Sequence, residues 1–266
     1  MLDPRIEESM HEYDNPGSVT DPAWGYGSWN EWFKRPFKAG MPPFSNPDDN
    51  SVICSACEST PFAFQQNVKL HDKFWAKNQP YSLVTMMNNN VLAREFETGT
   101  VYQAYLSSRN YHSWHSPVNR EIVSAKVVQG SYYAESPAVE DDPSGPDSSQ
   151  GYITNVTTRA IIFIRATDSE GEEDGPGLMW FIALGMSEIS SNVLSVKRND
   201  TVAKGDELGY FQYGGSSYCL AFRKDVIMNL CTQALPPLTD WDSSAGTGGE
   251  ELIKLGTAIG STEPCW

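Results

Sequence analysis

Apolar positions in this chain fall in short runs rich in β-branched and aromatic residues, separated by turn formers. Gly99 to Leu106, Glu121 to Val128, Ala160 to Thr167, Leu178 to Leu184 and Val193 to Val196 read as strands. Ala160 to Leu184 reads as a hairpin around the acidic loop Asp168 to Gly177. Leu208 to Phe211 and Tyr218 to Phe222 are also strand-like, and they flank Tyr213-Gly214-Gly215-Ser216-Ser217. Helical signals are few. Trp29 to Phe37 predicts a short helix stopped at Pro36, and a second runs from past Asp225 to Leu235. Val68 to Trp75 and Tyr81 to Leu92 are mixed and accommodate a short helix. Residues 1–44, rich in Pro, Gly and Trp, predict an extended arm, and residues 45–266 form the main domain. Glu135 to Gly151 has the composition of a disordered loop, and Asp240 to Gly249 that of a mobile linker. The fold class expected is α+β, predominantly β.

Composition narrows the classes of function. The 266 residues carry a net charge of -15 and a pI near 4.6. Such a balance argues against nucleic acid, which needs basic patches, and against docking on an anionic leaflet. No apolar run reaches the ~18 residues of a membrane span, so no stable membrane association is expected. Met1 to Glu7 has no apolar signal region. Five irregularly spaced cysteines predict reduced thiols, and hence a cytoplasmic location.

Three segments carry candidate chemistry. In the Gly-Gly-Ser-Ser string, two glycines strip side chains from around the Gly215 carbonyl, and Ser216 follows it directly. That suits internal attack of Ser216 Oγ on the preceding carbonyl. A tight glycine turn with a capping serine fits the same string. Two of the four histidines, His112 and His115, lie in Asn110-Tyr111-His112-Ser113-Trp114-His115-Ser116-Pro117. Imidazole is the usual base for a hydroxyl and is neutral near pH 7. Metal ligation would need further ligands, which the spacing does not supply, and half-buried packing histidines are the plain alternative. Cys54-Ser55-Ala56-Cys57 has neither a second Cys pair for zinc nor a following helix for thioredoxin-like chemistry. Glu58 beside it could orient a catalytic histidine, as the third member of a hydroxyl–imidazole–carboxylate unit, or stand as a surface glutamate.

Taken in order, Ser55 to Ser59, Tyr111 to Pro117 and Gly214 to Ser217 resemble the three motifs of the phosphatidylserine decarboxylase family of pyruvoyl enzymes. The strings Ala56-Cys57-Glu58-Ser59, Tyr111 to Asn119, Gly185 to Ser190, and Phe211 to Ser217 followed by Arg223-Lys224-Asp225 are most similar to the soluble fungal branch, the L-tryptophan decarboxylases of psilocybin biosynthesis. The resemblance runs from about Trp29 to Asp225. Three departures stand out. Glu58 replaces the aspartate of membrane-associated members. Arg120 replaces the usual Gly after the histidine loop. The region before Trp29 is shorter than in the fungal tryptophan enzymes.

The resemblance implies a barrel-sandwich-like β core with residues 45–266 as the catalytic domain. It implies self-cleavage between Gly215 and Ser216, with Ser216, His112, His115 and Glu58 as catalytic residues. His112, helped by Glu58, would take the Ser216 proton. The cofactor is then a pyruvoyl group made from Ser216, with no pyridoxal phosphate and no metal. The substrate expected is a free, tryptophan-like L-amino acid, decarboxylated through a Schiff base, with His112 or His115 returning the proton. The partners implied are this small molecule, the chain's own β and α pieces, and further copies of itself if it is a homo-oligomer. Phosphatidylserine is the second substrate. A poorly processed family member acting as a binding protein is the non-enzyme alternative. Lys204-Gly205-Asp206 resembles the turn of biotinyl-like carrier domains, but Lys204 precedes the glycine, which disfavours that role.

Overall fold

The computed structural model describes residues 10–18, 20–71, 81–107, 110–134, 150–168, 170–185, 191–212, 216–226, 228–236 and 252–262. The helices among these are α1 (Trp29–Phe33), α2 (Leu83–Met86) and α3 (Gln150–Val156). The strands are β1 (Val52–Cys54), β2 (Thr60–Gln66), β3 (Thr100–Leu106), β4 (Ser113–His115), β5 (Arg120–Val128), β6 (Arg159–Thr167), β7 (Glu173–Gly185), β8 (Ser191–Leu194), β9 (Thr201–Val202), β10 (Glu207–Gln212), β11 (Ser216–Phe222), β12 (Asn229–Leu230) and β13 (Ala258–Ser261). The expected class, α+β and predominantly β, is what is observed.

A seven-stranded antiparallel sheet in the order β2-β3-β11-β7-β6-β5-β9 is the frame. β11 sits inside it, paired along its whole length with β3 and with β7. Both faces are covered, so the strands read as continuous apolar runs rather than as alternation. Tyr218, Leu220 and Phe222 of β11 enter one core cluster with Phe181 and Ile162. Cys219 and Ala221 enter the other, with Trp180 and Phe163. A second layer, β4-β10-β8, lies on the first of these faces. Its link is Trp114, fully buried and stacked on Phe181 at 5.4 Å between centroids. Gly209 makes room for it: a Cβ there would lie 2.7 Å from the Trp114 ring. β1, β12 and β13 form a third small sheet, with β13 central.

The hairpin read at 160–184 is β6–β7, with β7 reaching back to Glu173 and so taking in part of the acidic loop. The short helix α1 ends at Phe33, before Pro36, and Phe37 bridges to Tyr13. Among the described residues past Asp225, the α-helix read to Leu235 does not form. The pair Asn229–Leu230 is drawn into β12 by β13, and Thr232–Ala234 is a single 3-10 turn. Partner strands more than 25 residues away override a weak local helical signal here. Residues 10–44 contribute Met10, Tyr13, Trp24, Trp32 and Phe33 to the larger core. Of the loop read at 135–151, residues 135–149 lie outside the described residues while Gln150 and Gly151 instead open α3; the linker at 240–249 and the string 213–215 also lie outside them. Cys54, Cys57, Cys219 and Cys231 are free thiols. No described helix is long and apolar enough to cross a membrane.

Candidate active site

The three candidate segments meet in space. The Ser55–Ser59 segment runs beside the histidine segment: His115 N–H donates to the Ala56 carbonyl at 2.9 Å, and the Asn110 side chain donates to the Glu58 carbonyl at 3.3 Å. It also reaches β11, where Tyr218 OH donates to Ser55 Oγ at 3.1 Å while Ser55 Oγ donates to the Cys57 carbonyl at 2.7 Å. The histidine segment is tied to the strand that leads into Ser216, since Phe211 N–H donates to the His112 carbonyl at 3.0 Å.

Ser216 opens β11, opposite Leu106 and Gly185. Strand alternation puts it on the face of Tyr218 and Leu220, the side that carries Phe33, Tyr111, Trp114 and Phe211. It is fully buried, and its Oγ has no hydrogen-bond partner among the described residues. Ser217, one residue on, faces the other way and is satisfied. Its Oγ donates to the Ala104 carbonyl at 3.0 Å and accepts from Gln103 Nε2 at 3.0 Å. A buried hydroxyl left without a partner costs ~1–3 kcal/mol, so the free one of the two is the informative one.

His112 is also fully buried. Its ring stacks on Phe33 at 4.0 Å and meets the edge of Phe211 at 6.2 Å. Nδ1–H donates to the Asn110 carbonyl at 2.8 Å, which leaves Nε2 as an unprotonated nitrogen with no partner among the described residues. Burial pulls its pKa down to about 3, helped by the Arg35 charge and opposed by the Asn110 bond. The ring is therefore a neutral base with a free lone pair.

His115 differs. Nδ1–H donates to the Gly205 carbonyl at 2.7 Å, and Nε2 accepts from Tyr111 OH at 3.0 Å. Both nitrogens are engaged, and burial lowers its pKa. Glu58 does not touch the His112 ring through any described bond. Its Oε2 instead accepts from the Tyr111 N–H at 2.8 Å. Burial raises its pKa, against that hydrogen bond and the Arg35 charge. The carboxylate thus holds the backbone of the histidine segment, one residue before the ring it was expected to orient. Gly215 lies outside the described residues.

Sequence reasoning passed over several groups. Tyr111 holds His115 and was visible as part of the same string. Buried Arg35 lies 4.4 Å from the ring centroids of both Tyr13 and Trp32, and its signal, one arginine in an aromatic segment, was weak. Residues 253–257 brace the Glu58 segment through paired Ser59–Ile253 and Ser55–Gly256–Thr257 backbone bonds, with nothing in their composition to announce it. No group of three or more His, Cys, Asp or Glu side chains among the described residues is placed to hold a metal ion.

Arg120, where a glycine was expected, has φ of +116°, in the region that favours glycine, and its Nε donates to the Thr167 carbonyl at 3.0 Å. Such a conformation costs a non-glycine residue ~1–3 kcal/mol. Arg120→Gly is expected to raise stability by about 1 kcal/mol, after loss of that bond and the added chain entropy. Urea unfolding measures it, and a lower midpoint would show that the Arg120 side chain outweighs the strain.

The sequence profile described as phosphatidylserine decarboxylase matches residues 29–235. The decarboxylase iboD of Amanita muscaria is 38% identical over 226 residues, covering 77% of this chain and 63% of that protein. The L-tryptophan decarboxylase of Psilocybe cubensis is 34% identical over 82% of this chain and 51% of its own length. The phosphatidylserine decarboxylase proenzyme of Fusobacterium nucleatum is 31% identical over 84% of this chain and 67% of its own. The chain thus spans between half and two thirds of the length of the two fungal proteins.

Proposed function

Because this chain belongs to the phosphatidylserine decarboxylase family, we propose that it cleaves itself between Gly215 and Ser216 and then decarboxylates a free aromatic L-amino acid, tryptophan or a close relative. The observation that carries this reading is that the three segments are bonded to one another and that two of them carry a buried polar atom without a hydrogen-bond partner among the described residues, Ser216 Oγ and His112 Nε2.

In this reading His112 Nε2 takes the Ser216 hydroxyl proton as Oγ adds to the Gly215 carbonyl carbon. The peptide C–N bond breaks, its nitrogen gains a proton, and residue 215 is held as an ester. Loss of the Ser216 α proton expels the Gly215 carboxylate. Water then releases ammonia, leaving a ketone on the new N-terminus. An orphaned buried hydroxyl directly after the scissile bond fits this precursor. Residues 216–266 stay attached afterwards, since β11 is laddered to β3 and β7 over seven residues and β13 to β1. The pyruvoyl group supplies a ketone that captures the substrate amine and accepts the electron pair left when carbon dioxide departs. His115, with Tyr111 OH in its Nε2, is the held acid–base pair that returns a proton to the substrate α carbon. Phe33 and Phe211 wall His112 with aromatic rings, and Trp29, half exposed, stacks on Trp32 at 4.6 Å. These surfaces suit a flat aromatic side chain.

The test offers purified protein each of the twenty amino acids and, separately, phosphatidylserine micelles, and measures amine product. Amine from L-tryptophan without detergent is expected. Added pyridoxal phosphate or chelator should leave the rate unchanged, and borohydride with substrate should abolish it. Turnover of the micelles alone would reject the amino-acid reading.

A further inference from the structure

Lys204 belongs to a turn that the reaction above does not use. It is 6% exposed, and its ammonium donates to three backbone carbonyls: Asn46 at 2.7 Å, Asp49 at 2.6 Å and Val52 at 2.8 Å. An ammonium has three donors, so all are used. A buried charge is costly unless its donors are met, and this one is met entirely by the 46–52 segment that leads into β1 and on to Glu58. The other side of the turn grips the histidine segment. Lys204 N–H donates to Asn119 Oδ1 at 2.8 Å, Gly205 N–H to the Ser116 carbonyl at 2.9 Å, and Ser116 N–H to the Asp206 carbonyl at 2.8 Å. The Gly205 carbonyl takes the His115 Nδ1 proton at 2.7 Å. Gly205 has φ of +97°, and a Cβ there would lie 2.9 Å from the Phe44 ring, so the turn in this place calls for glycine.

We propose that Lys204 is a positioning residue: by pinning the Ala203–Asp206 turn to the 46–52 segment, it aims the Gly205 carbonyl at His115 and fixes that ring in its Nδ1–H form. The bond made by one ring nitrogen decides which proton state the other presents. With Nδ1–H held, Nε2 is the acceptor that faces Tyr111. Releasing the turn lets the ring rotate or change tautomer, and an error of about 1 Å in such a group costs on the order of a hundredfold in rate. This inference rests on the decarboxylase reading for its catalytic consequence, but not for the state of the ring.

Two readouts separate the two. Long-range proton–nitrogen NMR correlations report the His115 tautomer whether or not the protein turns over substrate. In wild type they should show a single Nδ1–H tautomer. In Lys204→Met that signal should broaden or shift to a tautomer mixture. The kcat of the cleaved enzyme should fall about ten- to a hundredfold, with KM changed far less. Asn119→Ala, which removes the acceptor of the Lys204 N–H together with the amide's own bonds to the Pro47 carbonyl and Asn50 Oδ1 but leaves the ammonium's three bonds in place, should shift the ring in the same direction by a smaller amount, and it stands in if Lys204→Met does not fold. A lowered melting temperature with an unchanged His115 tautomer in either folded variant would reduce Lys204 to a structural staple and overturn the proposal. A wild type with no amine product but the expected ring state would reject the reaction and leave the positioning intact.

Discussion

Ser216→Ala protein is expected to remain one 266-residue chain, while wild type resolves into residues 1–215 and 216–266 with a blocked N-terminus on the second piece. The effect is all or none, because the substitution removes the hydroxyl that directly follows the Gly215 carbonyl in the chain. It should also be tolerated by the fold. Ser216 Oγ makes no hydrogen bond to a described residue, so its loss strands none of them. Ser217→Ala is the contrasting control. It should still cleave, since its hydroxyl follows a different peptide. It should be less stable by about 1–3 kcal/mol, because it removes two buried hydrogen bonds, the one that Ser217 Oγ accepts from Gln103 Nε2 and the one that it donates to the Ala104 carbonyl. Intact-mass spectrometry and urea unfolding read both. Full-length wild type after prolonged incubation would end the self-cleavage reading. Normal cleavage of Ser216→Ala would place the nucleophile elsewhere.

His112→Ala should slow cleavage by three orders of magnitude or more, the scale on which loss of one member of a nucleophile–base unit is felt. His115→Ala should cleave faster than His112→Ala and lose more in turnover, since both His115 nitrogens are already engaged whereas His112 Nε2 has no partner among the described residues. A pH series adds a sign. Burial holds the folded His112 pKa near 3, so the free base persists as pH falls well below 6. Wild-type cleavage should therefore show no His112 limb near pH 6.5, and stability follows the same linkage. The folded pKa lies below the unfolded value of about 6.5, so the unfolded chain binds more protons between the two. The contribution of His112 is complete above pH 6.5 and is lost progressively toward pH 3. Time courses on denaturing gels at pH 4 to 8 measure the first part. A reversed order, with His115→Ala the uncleaved variant, would exchange the two roles.

How much of this was legible beforehand varies with the distance over which each contact is made. The main strands of the large sheet were readable because a strand covered on both faces is apolar along its covered length, and 160–164 of β6, 178–184 of β7 and 218–222 of β11 are. β1, β4 and β13 were not, because three or four residues without strong patterning become strands only when a distant partner pairs with them. The turn at Lys204 was seen as a turn, but its grip on the histidine segment was invisible, since its partners lie 85 to 158 residues away. Glu58 was found from a four-residue string, yet its actual partner, the Tyr111 N–H, was not the one expected.

Local chemistry therefore determined the candidates: which serine follows a bare glycine carbonyl, which histidines share a loop, and which acid lies in a motif. Tertiary structure decided their states. Strand alternation separated Ser216 from Ser217, leaving one hydroxyl without a partner among the described residues and spending the other on Gln103 and Ala104. Carbonyls from unrelated segments, Asn110 and Gly205, chose the tautomers of His112 and His115, and burial set their charge. A sequence names the donors and acceptors. Which of them find partners is a property of distances between segments, and those exist only once the sheet has closed around them.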